Sequence, residues 1–363
     1  MGKTLEALVK KELGSAREAS LAIGVVSRDG KSVTGYFNEI FECVHPRNYV
    51  FEMGSTTKTF TSLLLAILVK EGKVSLDDPV KNYKPEYEKA LSFNGKDITF
   101  RHLAVHRSGL PREDMKKLRQ RIKENKEEKD NPFKYFTEED LHEFYTNHQL
   151  KREVEKKWQY SNIGIGLLGN TLAEIEGMSY EDAVRVRILE PLGMNDTFIT
   201  GTPEQNSRYL KAYNKKGERV PPIELAAING AGALKSTLND MLIYLEHQTG
   251  LTDSPLKEAI ELTHQIHGKT SAKKIKMGLG WMIEEKKWSQ YPVIHHGGTT
   301  IGFHTYCAFI KEIQAGVVIF STIQLKPWRI IKMLTNIEGL VNESIAEELF
   351  KEELMKAETR QTD

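Results

Sequence analysis

Gly54-Ser55-Thr56-Thr57-Lys58, followed at once by Thr59-Phe60-Thr61-Ser62-Leu63-Leu64-Leu65-Ala66-Ile67-Leu68, is the stretch on which the reading of this chain turns. Phe60, Leu63, Leu64, Ile67 and Leu68 recur at helical spacing, which predicts a helix ending near Glu71. If that helix starts at about Ser55, Ser55 and Lys58 lie one turn apart on one face and the amine reaches the hydroxyl. The helix N-terminus favours negative charge developing there. A serine hydroxyl is a weak nucleophile by itself, and an amine whose pKa burial depresses from about 10.4 can take its proton. Read alone, the same residues also describe an ordinary capped helix.

Two later stretches complement the first. Trp158-Gln159-Tyr160-Ser161-Asn162 precedes a glycine-spaced helical pattern. A tyrosine beside two positive groups loses its proton more readily than its usual pKa of about 10 allows, so Tyr160 can serve as base and then as acid. Asn162 is expected to offer its amide to a substrate backbone and to Lys58. His295-His296-Gly297-Gly298-Thr299 lies between two expected strands. Glycines there let a ligand backbone lie against the strand, and an exposed N–H forms half of an oxyanion hole. Neighbouring residues on a strand point to opposite faces, so only one of the two histidines lines a given site.

Outward from these motifs, strands are expected at both ends: Ala19 to Val26 and Ser32 to Tyr36 as a hairpin, then Gly280 to Glu285, Val293 to His296, Phe303 to Ile310 and Gly316 to Ile323. Helical patterns fill the middle: Glu138 to Thr146, Gly164 to Gly177, Ser179 to Glu190 and Asp240 to Thr249. A further helix is expected from Pro327 to about Met355. The class is therefore α/β of the α+β type: an antiparallel sheet built from both termini with flanking helices, plus an inserted, mostly helical subdomain. The division is 1–58 and 250–363 for the sheet layer and 59–249 for the helical subdomain, with the cleft between them. The charged run Lys116 to Lys129 reads as a solvated helix or loop.

With 51 Lys plus Arg against 50 Asp plus Glu, no global field draws the protein to nucleic acid. A small molecule or short peptide is the expected partner. Two cysteines, Cys43 and Cys307, exclude a disulfide scaffold and a multi-cysteine metal site, leaving one bridge open. No metal site and no cofactor are expected, and His264 and His267 read as a surface pair. No run of about 18 apolar residues is present, so no membrane span is expected. The expected location is the cytoplasm, or outside it if a leader has been removed.

Together the three motifs resemble the S-x-x-K, Tyr-x-Asn and Lys-Thr-Gly set of penicillin-binding proteins and serine β-lactamases. Tyr160-Ser161-Asn162 points to the class C branch, with its D-alanyl-D-alanine carboxypeptidase, D-aminopeptidase and esterase relatives. Asp97 to Leu103 leading to Ser108-Gly109-Leu110-Pro111, Glu190 to Met194, and Gly278-Leu279-Gly280-Trp281 extend the likeness. The resemblance implies a β-lactamase/DD-peptidase-like fold and a serine hydrolase forming an acyl-enzyme on Ser55. It makes Ser55 the nucleophile, with Lys58 and Tyr160 sharing the proton work. Asn162, His296, Gly297 and Gly298 would bind substrate, and the backbone N–H groups of Ser55 and Thr299 would form the oxyanion hole. His296 departs from the family's lysine: with an ordinary pKa near 6.5 it is mostly neutral at pH 7, which lowers the expectation for β-lactams. Acidification toward pH 6 is then expected to strengthen carboxylate binding. Amide hydrolysis leads, with a carboxylesterase and a non-catalytic penicillin-binding sensor as alternatives. His102 and His106 are assigned to packing or capping, and His304 to a structural role at the site's edge.

Overall fold

Residues His304–Ile310 and Ala315–Ser321 are buried at every position, so the sheet they belong to is covered on both faces. The computed structural model describes residues 3–13, 19–37, 40–128, 131, 133–214, 217–322 and 341–362. In chain order the strands are β1 Leu21–Ser27, β2 Gly30–Tyr36, β3 Val50–Glu52, β4 Ser92–Phe93, β5 Lys96–Asp97, β6 Lys235–Thr237, β7 Gly268–Lys269, β8 Ile275–Met277, β9 Met282–Glu284, β10 Val293–Thr299, β11 His304–Ile310 and β12 Ala315–Ser321. Eight of them form one sheet in the order β2-β1-β12-β11-β10-β9-β8-β7, and its pairs are antiparallel. The N-terminal hairpin closes against the last strand, Leu21 facing Ser321 and Val26 facing Gly316. This is the mixed α/β architecture expected, with the sheet assembled from both ends of the chain.

Alternation along the strands sorts side chains between two cores. Tyr306, Ala308, Ile310, Val317 and Ile319 pack with Val9 of the Lys3–Leu13 helix and with Ile345, Phe350 and Leu354 of the Val341–Thr362 helix. Their neighbours Cys307, Phe309, Val318 and Phe320 enter the main core on the opposite face, where the Leu238–Thr249 helix lies against β1 and β12.

The helix after Ser55 runs Thr57–Lys70, entered through a 3-10 turn, Gly54–Thr56. It is buried from Thr57 through Leu68 rather than along one stripe. Helices Asn162–Ile175, Tyr180–Val184 and Lys257–His264 surround it. Most of its hydroxyls are satisfied: Thr59 Oγ1 donates to the Thr56 carbonyl at 2.9 Å and Thr61 Oγ1 to the Gly230 carbonyl at 2.7 Å, while Thr57 Oγ1 accepts the Leu234 N–H at 3.2 Å and Ser62 Oγ is buried without a partner among the described residues. A helix carrying polar residues on every side is thereby kept in a core.

Several elements differ from expectation. Strands β3 and β6 pair with each other, and β7 and β8 extend the main sheet; all four are two or three residues long, too short for a period-2 pattern to register. The helix expected over Ser179 to Glu190 relaxes into a π turn at Arg185–Leu189. The charged run is a largely solvated helix as expected, Met115–Glu124, anchored by Arg121, whose Nη2 and Nε donate to Asp140 at 2.7 and 2.8 Å. Of the helix expected from Pro327, residues 327–340 lie outside the described residues. Cys43 is exposed, Cys307 is buried, and both are free. Among the described residues no helix is long and apolar enough to cross a membrane.

Candidate active site

Ser55 enters the site from a turn that only a close backbone approach permits. Gly54 has φ +51°, and a Cβ on it would lie 2.8 Å from the Thr299 nitrogen, so the turn abuts the end of β10. The contact is stitched by hydroxyls: Thr305 Oγ1 on β11 donates to the Met53 carbonyl at 2.9 Å and lies 2.9 Å from Thr56 Oγ1. Gly298 completes the fit, since a Cβ there would lie 1.9 Å from the Met53 carbonyl oxygen. Ser55 and Thr299, the two residues expected to hold an oxyanion, are brought together by this packing.

Lys58 is fully buried and its Nζ lies 2.9 Å from Ser55 Oγ, with a second bond to the Ala231 carbonyl. Burial, then the charge of Arg112, holds this amine well below its ordinary pKa. Tyr160 hydrogen-bonds Ser55, and burial pushes its phenol up to about 12. The lowered tyrosine pKa expected from its neighbours is therefore not realised, because desolvation of the phenolate outweighs nearby positive charge. Around the Tyr160 ring stand Lys58 Nζ at 4.9 Å, the Arg112 guanidinium at 5.0 Å, the His106 ring at 4.3 Å and the His296 ring at 6.4 Å.

Asn162, at the first turn of its helix, does not make the hydrogen bond to Lys58 that was expected. Its Nδ2 donates to Glu113 Oε1 at 2.8 Å, and its Oδ1 is buried without a partner among the described residues. His296 lies on the face of β10 toward Tyr160. His295 points the other way, 3.1 Å from Glu284 Oε2. His296 Nδ1 lies 2.7 Å from the Gly297 carbonyl, and since a carbonyl only accepts, that nitrogen carries the proton and Nε2 keeps a lone pair. Burial, then Lys58, pushes this imidazole down to about 3. His296 is consequently neutral at pH 6, and the expected gain in carboxylate binding on acidification has no group to supply it.

Sequence reasoning missed several neighbours. His106, assigned to packing or capping, clamps the tyrosine segment: its Nδ1 accepts the Ser161 N–H at 3.2 Å and its carbonyl accepts the Gln159 N–H at 2.8 Å. His102 does cap its helix, exchanging bonds with Thr99. Glu52 is buried next to the Gly54–Thr56 turn and accepts from Ile223 N–H at 2.6 Å and from Tyr209 and Thr300. Arg112 and Glu113 directly follow the Pro111 already singled out, which was the available signal. His304, at the site's edge, lies 3.2 Å from Thr299 Oγ1, and its carbonyl accepts from Asn342 Nδ2. His264 departs from the surface pair expected: it is half-buried against Trp281 and Phe309 and bonds Gln248 at 2.8 Å.

The "Beta-lactamase" family model matches residues 5–337. The chain is 30% identical over 284 residues to the D-alanyl-D-alanine-carboxypeptidase/endopeptidase AmpH of Escherichia coli (strain K12), covering 75% of this chain and 71% of that one. It is 28% identical over 308 residues to a beta-lactamase of the same organism, covering 75% of each. A class C beta lactamase structure from Rhodobacter sphaeroides superposes with a TM-score of 0.72 at 22% identity, covering 93% of this chain and 98% of that one. The chain belongs to the beta-lactamase family, and its fold is that of class C beta-lactamases.

Proposed function

We propose that this protein is a serine hydrolase that cleaves amide or ester bonds through an acyl-enzyme on Ser55. The observation that carries the reading is the 2.9 Å contact between Ser55 Oγ and the fully buried amine of Lys58. With its pKa held low, Lys58 is the base: it takes the Ser55 proton as Oγ attacks the carbonyl carbon. The negative oxygen of the tetrahedral intermediate is held by the N–H groups of Ser55 and Thr299. Tyr160, protonated over the working range, gives its proton to the leaving nitrogen or oxygen and is reprotonated from Lys58. Water then attacks the acyl carbon by the same relay in reverse and frees Ser55.

Relatives named for D-alanyl-D-alanine peptidase and β-lactamase activity support acyl substrates of these kinds. The neutral His296 favours esters and amides without a leaving-side carboxylate over β-lactams, whose carboxylate finds no lysine on β10. A fluorophosphonate probe is expected to add to Ser55, read by peptide mass spectrometry, and Ser55→Ala to abolish both the adduct and turnover of nitrophenyl esters. Undiminished ester turnover by Ser55→Ala overturns the proposal.

A further inference from the structure

The cation that His296 does not supply stands elsewhere in the site. Arg112 projects over the face of the Tyr160 ring with its guanidinium carbon 5.0 Å from the centroid. Its side chain is 62% exposed, whereas the neighbouring Glu113 is 16% exposed. The charge offered to the cleft is therefore positive. Glu113 Oε1 takes the Arg112 Nε at 3.3 Å and the Asn162 Nδ2 at 2.8 Å, fixing guanidinium and amide side by side. Among the described residues Glu113 is the only hydrogen-bonding partner of the Arg112 side chain, through Nε, so both terminal nitrogens of the fork are unpaired. The Arg112 carbonyl also accepts the Asn162 N–H at 2.9 Å, which locks this loop to the helix bearing Asn162.

We propose that Arg112 is the specificity-determining residue of the site, binding a carboxylate on the acyl side of the substrate through its free guanidinium fork. The inference rests on the hydrolase reading above, with Asn162 against the acyl-side amide. A planar fork with two parallel donors matches a carboxylate, and stacking on Tyr160 holds it preoriented. Lys58 cannot compete for the anion, since its amine is buried and spent on Ser55 and Ala231.

The test compares two acyl donors of the same shape: the mono-nitrophenyl ester of succinic acid, which carries a free carboxylate, and its methyl-capped diester, which does not. In Arg112→Gln the ratio of KM for the anionic ester to KM for the capped one is expected to rise about tenfold over wild type. Both esters lose the guanidinium's effect on Lys58 alike, so the ratio isolates the contact. Arg112→Lys keeps the charge without the fork and should fall between the two. Added salt should raise the wild-type ratio and leave the Arg112→Gln ratio nearly flat. An unchanged ratio in Arg112→Gln, with both esters still hydrolysed in a Ser55-dependent way, overturns the role of Arg112 alone. Wild-type protein that turns over neither ester overturns the hydrolase reading and this inference with it.

Discussion

Replacing Gly298 with alanine tests whether the turn bearing Ser55 and β10 meet as closely as the structure places them. The added Cβ would lie 1.9 Å from the Met53 carbonyl oxygen and 2.4 Å from Thr305 Oγ1. Cβ contacts shorter than 3.0 Å are essentially never found, so strand and turn must part by about 1.1 Å. Neither neighbour yields easily: one is backbone, and rotating Thr305 breaks its 2.9 Å bond to that same carbonyl. The displacement carries Thr299 away from Ser55 and opens the proposed oxyanion hole. A misplacement of about 1 Å, or loss of one oxyanion donor, costs roughly a hundredfold in kcat, about 2.7 kcal/mol of barrier. The assay is kcat on a nitrophenyl ester beside a thermal melt, with Gly297→Ala for comparison. A Cβ on Gly297 meets nothing nearer than the Thr305 carbonyl at 3.5 Å, so that variant should lose about tenfold less than Gly298→Ala. Gly298→Ala melting like wild type and within a few-fold of its kcat would refute the reasoning.

His296, with its pKa near 3, should leave the KM ratio of anionic to neutral esters flat from pH 5.5 to 8, because the ring is neutral throughout; a ratio falling toward pH 5.5 would show that the imidazole charges and binds the anion. On the opposite face, His295 and Lys286 hold the Glu284 carboxyl down to about 2 from its usual 4.5, against the opposing effect of its own burial. Because the folded pKa is the lower one, its contribution is fully present above pH 4.5 and fades as pH falls toward 2. Glu284→Gln should therefore destabilise by about 1–3 kcal/mol at pH 7 and by much less at pH 3, read by denaturant unfolding at both values. A penalty independent of pH would assign the loss to packing instead.

The long elements were legible because their patterns are local. Val293, Phe309 and Val318 belong to apolar, β-branched and aromatic runs, and Phe60, Leu64 and Ile67 repeat at helical spacing. The order of Ser55, Lys58, Tyr160 and Gly298 along the chain was enough to name the family. What no local pattern carries is distance in space and the dielectric that goes with it. The sequence placed Tyr160 beside positive charge and inferred an acidic phenol. Only the packed fold shows that burial outweighs that charge and keeps the proton on the ring. It made His296 a pH-responsive cation, whereas burial, then the charge of Lys58, keeps the ring neutral against the opposing pull of the Gly297 carbonyl. His106 was assigned to packing or capping and Arg112 was not singled out, since nothing along the chain says that both will close on one tyrosine some fifty residues away. Residue type and order determined the chemistry available to this protein; desolvation and long-range contact, which exist only once the chain is folded, decided which groups carry charge and which stay neutral.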